Sequence, residues 1–202
     1  SPNILAHSRL ATIDLGASCF IFIAVYYFWK FINDISVKSF VIAGVTFGLA
    51  QLSKFTALYL IPIYVLLILV VVVLKKKEDS SFFNVLKSKK AFILYGMVVG
   101  TFIIGYLVVA GGYGFLHVGK YVEGLTYVVS HSNDGHPGYL MGMYSSQGWW
   151  YYFIVAFLIK TPIVTIVLMI LSLVYFKMLR SPNKLADYFL IIPPAFIFFT
   201  FF

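Results

Sequence analysis

The chain has 202 residues, of which 61% are hydrophobic and only 11% charged, and its mean hydropathy is +0.95. A soluble domain is about 45–50% apolar and about 25% charged, so disorder, a disulfide scaffold and an ordinary water-soluble enzyme are excluded and an integral membrane protein is left. The net charge of +8, from 15 Lys and Arg against 7 Asp and Glu, would suggest nucleic acid in a soluble protein; in a membrane protein the question is which connections hold it.

At about 20 residues per span, the apolar runs predict an all-α, polytopic transmembrane helix bundle of about six spans. In chain order they cover about 12–32, 38–53, 55–74 and 91–110, then a run within 149–176, then one beginning near Leu185. A loop of about 38 residues, 111–148, rich in Gly, His, Tyr and Ser, separates the fourth from the fifth. The chain opens on Ser1-Pro2-Asn3 without a Met and stops at Phe202 within an apolar run. Both ends read as cut, so residues 1–202 are expected to be an internal piece of a longer polytopic protein. Cys19 is the single cysteine, which excludes an internal disulfide and gives no metal-site spacing.

Alternate connections share one side of a membrane. Those around 30–38, 75–90 and 177–184 hold Lys30, Lys38, Lys75, Lys76, Lys77, Lys87, Lys89, Lys90, Lys177, Arg180 and Lys184, which is 11 of the 15 basic residues. Positive charge collects on the cytoplasmic side, so the N-terminal segment, the turn at 53–54 and the long loop are expected outside. The lysine runs are topology determinants beside anionic lipid headgroups, and no nucleic-acid partner is implied. Four cations are left for the outer side: Arg9, Lys54, Lys120 and Lys160.

Smaller features read as packing. Gly44 and Gly48, and Gly96 and Gly100, have the GxxxG spacing that lets helices approach closely. Pro62 is expected to bend the third span. Tyr26, Tyr27 and Trp29, and the aromatic run from Trp149 to Phe153, have the composition of interfacial anchors.

Charged groups at membrane depth are costly and are usually retained for function. Asp14 opens the first span, after His7-Ser8-Arg9. Lys54 lies between the second and third, and Lys160 precedes Thr161-Pro162. For both lysines snorkelling to the headgroups is the alternative; for Asp14 it is an N-cap role. The stretch from Trp149 to Phe176 is too long for one span, and Pro162 disfavours helix immediately before it. Two pieces are expected, an interfacial or re-entrant helix over about 149–159 and a second helix after the Lys-Thr-Pro break. Irregular backbone at that depth belongs beside protein or a wet cavity, which Lys160 would face. His117, His131 and His136, spaced by 14 and 5, lack the HExxH or Cys pattern of a zinc site.

The residues Ser1-Pro2-Asn3-Ile4-Leu5-Ala6-His7-Ser8-Arg9-Leu10-Ala11-Thr12-Ile13-Asp14 resemble the SPxLLAHxxLxTTD segment of polytopic GT-C glycosyltransferases, the relatives of protein O-mannosyltransferases and lipid A aminoarabinose transferases. Gly48-Leu49-Ala50-Gln51-Leu52-Ser53-Lys54-Phe55-Thr56 is similar to their GLAxLSKFT turn. Gly135-His136-Pro137-Gly138-Tyr139-Leu140-Met141-Gly142, Gly148-Trp149-Trp150-Tyr151-Tyr152-Phe153 and Phe157-Leu158-Ile159-Lys160-Thr161-Pro162 resemble the GHxxYLxG and GWWYYFxxAFLxKTP stretches. Ile13 departs from the pattern, which often has Thr there.

The resemblance implies a multi-pass enzyme of the plasma membrane that takes a sugar from a polyprenyl-phosphate carrier and transfers it on the outer face to a protein, glycan or lipid acceptor. It implies Asp14 as a catalytic carboxylate, at the second acidic position of such enzymes. Their principal acidic motif lies upstream of the matched segment, so residues 1–202 alone are expected to be inactive. His7, Arg9, Lys54, His136, Trp149, Trp150 and Lys160 are the candidate substrate-binding residues. No cofactor is implied, and a divalent cation is left open. Two other classes stay open on the residues alone: a secondary transporter or channel segment, and a non-catalytic lipid-binding membrane subunit.

Overall fold

An apolar run in hydrocarbon has to satisfy its backbone polar groups from within, and the α-helix does so inside a single segment. In the computed structural model, which describes residues 13–78, 89–133, 138–146, 148–149, 151–179 and 184–200, the apolar runs are helices. They are α1 Asp14–Asn33, α2 Val37–Ser53, a 3-10 turn Phe55–Tyr59 leading into α3 Leu60–Glu78, and α4 Lys89–Gly112. There follow α5 Gly119–Asn133, a hairpin of β1 Gly138–Leu140 and β2 Met143–Ser145, α6 Tyr152–Lys160, α7 Ile163–Val174, the short α8 Phe176–Leu179 and α9 Lys184–Thr200. The protein is an all-α helical membrane bundle.

Among the described residues, Asp14–Asn33, Phe55–Leu74 and Tyr95–Gly112 are long and apolar enough to cross a membrane. The pair α6 and α7, bent by 109° at its break, makes a fourth if it counts as one span. The bend falls at Lys160-Thr161-Pro162, where the sequence predicted it. Helices α2 and α9 have 17 residues each, short of the roughly 20 that a span needs. Helices stand where the six spans were expected, but among the described residues length and composition support three, or four with the bent pair.

Helices α2 and α4 run side by side in the same direction. A Cβ added at Gly44 would fall 2.6 Å from the Ile104 Cβ, and one at Gly48 2.5 Å from the Val108 Cβ and 2.8 Å from the Gly105 carbonyl oxygen. Further along, one at Gly112 would fall 2.7 Å from Leu52. The first GxxxG pair is therefore a true close-packing seam. Of the second pair, Gly100 is covered by Phe40, but a Cβ at Gly96 would meet nothing within 4 Å. Gly105 of α4 also lies against α2, where a Cβ would run into the Phe47 ring.

Helix α1 packs against α2 and α3 through an aromatic core. Tyr64 is fully buried, stacks on Phe28 with ring centroids 3.8 Å apart, and donates to the Ala24 carbonyl at 2.9 Å. Tyr64→Phe keeps the ring and removes that bond. It is expected to cost about 0.5–1.5 kcal/mol, read as a lower unfolding temperature of the detergent-solubilised protein. Tyr27 and Trp29 pack on the same core, while Tyr26 is exposed, so only part of that aromatic group is turned outward.

Two local expectations are corrected. Pro62 is the third residue of α3, in a first turn where a missing amide is tolerated; the irregularity in this span is the 3-10 turn ahead of it. The long connection 111–148 is also more structured than its composition suggested, since it holds α5 and a two-residue hairpin turn. Met141 and Gly142 have φ of 50° and 85°, the left-handed pair that such turns require. Helix α7 leaves Ile163, Val164, Leu173 and Val174 exposed, an apolar surface of the kind that faces lipid or a partner.

Candidate functional site

Asp14 is the first residue of α1, and Lys54 follows the last residue of α2. Because α1 and α2 are joined by the short connection at Asp34–Ser36 and lie antiparallel, both residues come to one end of the bundle. Their side chains meet there. The Lys54 Nζ lies 2.5 Å from the Asp14 Oδ1, across 40 residues of sequence. The side chains are 34% and 59% exposed, so the pair lies at the surface of the bundle. An exposed ion pair contributes only about 0–1 kcal/mol to stability. The pair is better understood as a carboxylate and an ammonium held at one spot than as a structural brace.

The backbone around Lys54 explains how it is presented. Helix α2 stops there because Lys54 is extended, with φ −164° and ψ 142°. The chain restarts as a 3-10 turn in which the Ala57 amide donates to the Lys54 carbonyl at 2.9 Å. Gln51, buried one turn before, donates from its side chain to the Ala57 carbonyl at 2.8 Å. Its oxygen accepts from the Tyr121 hydroxyl of α5 at 3.1 Å. Phe55 and Tyr121 have ring centroids 5.3 Å apart, and a Cβ at Gly124 would lie 2.7 Å from the Phe55 ring. The small residue is what lets α5 sit on this turn. Burial pushes the Tyr121 hydroxyl above its ordinary value, with Tyr113 adding to the effect, so Tyr121 acts as a protonated donor.

Gln51, Tyr121 and Gly124 were not among the residues singled out from the sequence. The signal available for Gln51 was a side-chain amide in an apolar run, since polar side chains in spans tend to bond across helices. For Tyr121 and Gly124 the signal was weaker. They lie three apart on α5, and with Leu125 they form its partly buried face, while Val122, Tyr127 and Val129 are exposed.

Lys160 ends α6 at the break before α7. It lines a groove of about 630 Å³ together with Tyr152, Phe153, Phe157, Pro194 and Phe198. A second, almost wholly apolar groove of about 530 Å³ runs along α1 and α9 from Ser18 to Trp29, and Pro194 and Ile197 line both. Trp149 is beside the hairpin, 3.6 Å from a Cβ added at Gly138. Lys120 is exposed on α5. His7, Arg9, His136 and Trp150 lie outside the described residues. The structure thus joins Asp14 to Lys54 and gives Lys160 a groove lined by aromatic rings. His131 stacks on Tyr127 at 5.8 Å. Among the described residues, no three of His, Cys, Asp and Glu are grouped as they would be to hold a metal ion.

The sequence pattern of one known family, described as dolichyl-phosphate-mannose-protein mannosyltransferase, matches residues 1–104, just over half of the 202. The match includes both partners of the ion pair and Gln51. Searches of curated proteins and of solved structures give no match. A membrane bundle with this family pattern across its first four helices is a glycosyltransferase in general kind, and the chain belongs to the dolichyl-phosphate-mannose-protein mannosyltransferase family.

Proposed function

We propose that this chain forms part of the reaction centre of a membrane glycosyltransferase that moves a sugar from a polyprenyl-phosphate carrier to an acceptor hydroxyl on the extracytoplasmic face of the plasma membrane. The observation that carries the reading is the Asp14–Lys54 pair. It is a carboxylate and a cation held together at the end of α1 and α2 opposite to Lys30 and Lys38. The excess of lysine in the connections on the other side supports an outward-facing site. The family description names a phosphate-linked mannose donor and a protein acceptor, which makes these the first to be tried, ahead of glycan and lipid acceptors.

The chemistry asks for two kinds of group. The bond between the sugar C1 and the carrier phosphate breaks, and the phosphate leaves with the electron pair. The acceptor oxygen bonds to C1, and its proton passes to a base. Negative charge that grows on the phosphate is stabilised best by cations already in place where water is scarce. Lys54 and Lys160 are suited to this, and Arg9 adds a guanidinium able to grip two phosphate oxygens. Asp14 is the carboxylate that receives or orients the acceptor hydroxyl. The aromatic walls beside Lys160 offer apolar faces to carrier or sugar, with His7, His136, Trp149 and Trp150 as further sugar or acceptor contacts.

Lys160→Ala in the complete membrane protein is expected to lower the rate of transfer from a polyprenyl-phosphate sugar about 100-fold, the scale of losing one preorganised charge contact. The amount of protein inserted should not change. A variant that transfers sugar at the wild-type rate removes Lys160 from the site.

A further inference from the structure

The Lys54 turn is held from outside the bundle. A chain of hydrogen bonds starts at the Tyr121 hydroxyl on α5, passes through the Gln51 side-chain amide to the Ala57 carbonyl, and reaches the Lys54 carbonyl through the Ala57 amide. Apolar contacts accompany this chain: Phe55 on Tyr121 and Phe55 over Gly124. Lys54 keeps one backbone bond on each side, its amide donating to the Ala50 carbonyl at 3.4 Å and its carbonyl accepting from the Ala57 amide at 2.9 Å. The side-chain bonds through Gln51 add a tie from another element to that turn. Gln51 is buried, so both ends of its amide need partners, and the two it has lie on different elements. Rotating the amide would set its oxygen against the Ala57 carbonyl and lose that bond.

We infer that Tyr121 and Gln51 are positioning residues: α5, through the Tyr121–Gln51–Ala57 chain, sets where the Lys54 ammonium stands relative to Asp14. Neither residue is assigned contact with the reacting atoms; each acts through Lys54. The inference rests on the reading of Lys54 as a phosphate-binding cation. It also gives the outer connection a role in the reaction, because any movement of α5 is passed to the cation.

The test is a double-mutant cycle in the complete protein, reading kcat/KM for a polyprenyl-phosphate sugar. Tyr121→Phe removes one hydroxyl, keeps the ring on Phe55, and is expected to lower kcat/KM about tenfold, the scale of a buried partner left unsatisfied. Gly124→Val disturbs the same contact without touching a polar group, by pressing on the Phe55 ring, and should act in the same direction. In a Lys54→Ala background both substitutions should have no further effect, since residues in one network are not additive. A further loss of about tenfold in that background would show a general structural role and overturn the inference. So would wild-type kinetics for Tyr121→Phe alongside a crippled Lys54→Ala, which leaves the reading of Lys54 standing. Wild-type kinetics for Lys54→Ala itself overturns both.

Discussion

Lys54→Ala in the complete transferase is expected to insert and fold normally and yet to lose about 100- to 1,000-fold in kcat, the usual consequence of removing one preorganised group that meets developing charge. The two halves of this expectation have different origins. The ion pair with Asp14 is partly exposed, at 34% and 59%, so its loss costs the fold about 0–1 kcal/mol. The same ammonium facing a leaving phosphate counts for far more, because the charge there grows only in the transition state. Asp14→Asn should behave alike, with intact insertion and a large fall in turnover. Lys54→Arg keeps the charge but not the point geometry of an ammonium, and should recover part of the rate. Membrane-fraction protein, unfolding temperature and initial rate, measured together on the three variants, decide the matter. A fall in stability that matches the fall in rate would mean the pair is a brace, and the site assignment would be lost.

The second large effect concerns the fold. Gly48→Leu is expected to destabilise the bundle by roughly 1–3 kcal/mol or to prevent its assembly, as overpacking of a tight contact does. A Cβ at this position already falls 2.5 Å from Val108 and 2.8 Å from the backbone oxygen of Gly105, and backbone cannot swing aside as a flexible side chain can. Gly96→Ala is the matched control. It has the same residue type and the same GxxxG spacing in sequence, but open space around it, and it should leave the unfolding temperature essentially unchanged. The measurement is detergent-resistant folding of the two variants side by side. Equal sensitivity at both positions would contradict the seam between α2 and α4.

The contrast between Gly48 and Gly96 also shows where sequence reasoning stops. Spacing marks both glycines as candidates for close approach, but which helix arrives at each is a tertiary matter. The third span gives a similar lesson. Pro62 is a conspicuous breaker, yet it falls where a helix needs no amide, and the break is at Lys54-Phe55, written in no breaker residue at all. The bend at Lys160-Thr161-Pro162 was legible because proline acts on its immediate neighbours, and it was found where expected, at 109°. In the connection 111–148, glycine and histidine content suggested a loop. The helix α5 forms there because its face of Tyr121, Gly124 and Leu125 has the Gln51–Phe55 turn to pack on, and helical stability in proteins comes mostly from such packing.

Composition and apolar run length by themselves determined that this is an all-α membrane protein, and lysine distribution set the expectation for which connections share a side. These are properties of segments, set by the transfer of each segment between water and hydrocarbon. Charge at the edges of apolar runs, and then motif resemblance, picked out Asp14, Lys54 and Lys160 one at a time. Only the tertiary structure decided that Asp14 and Lys54 touch, that Lys160 lines a groove with aromatic rings, and that Tyr121 holds the lysine turn through Gln51. Contacts across 40 and 70 residues depend on how helices pair, and that pairing is fixed by the shapes of packed faces, which no local pattern records.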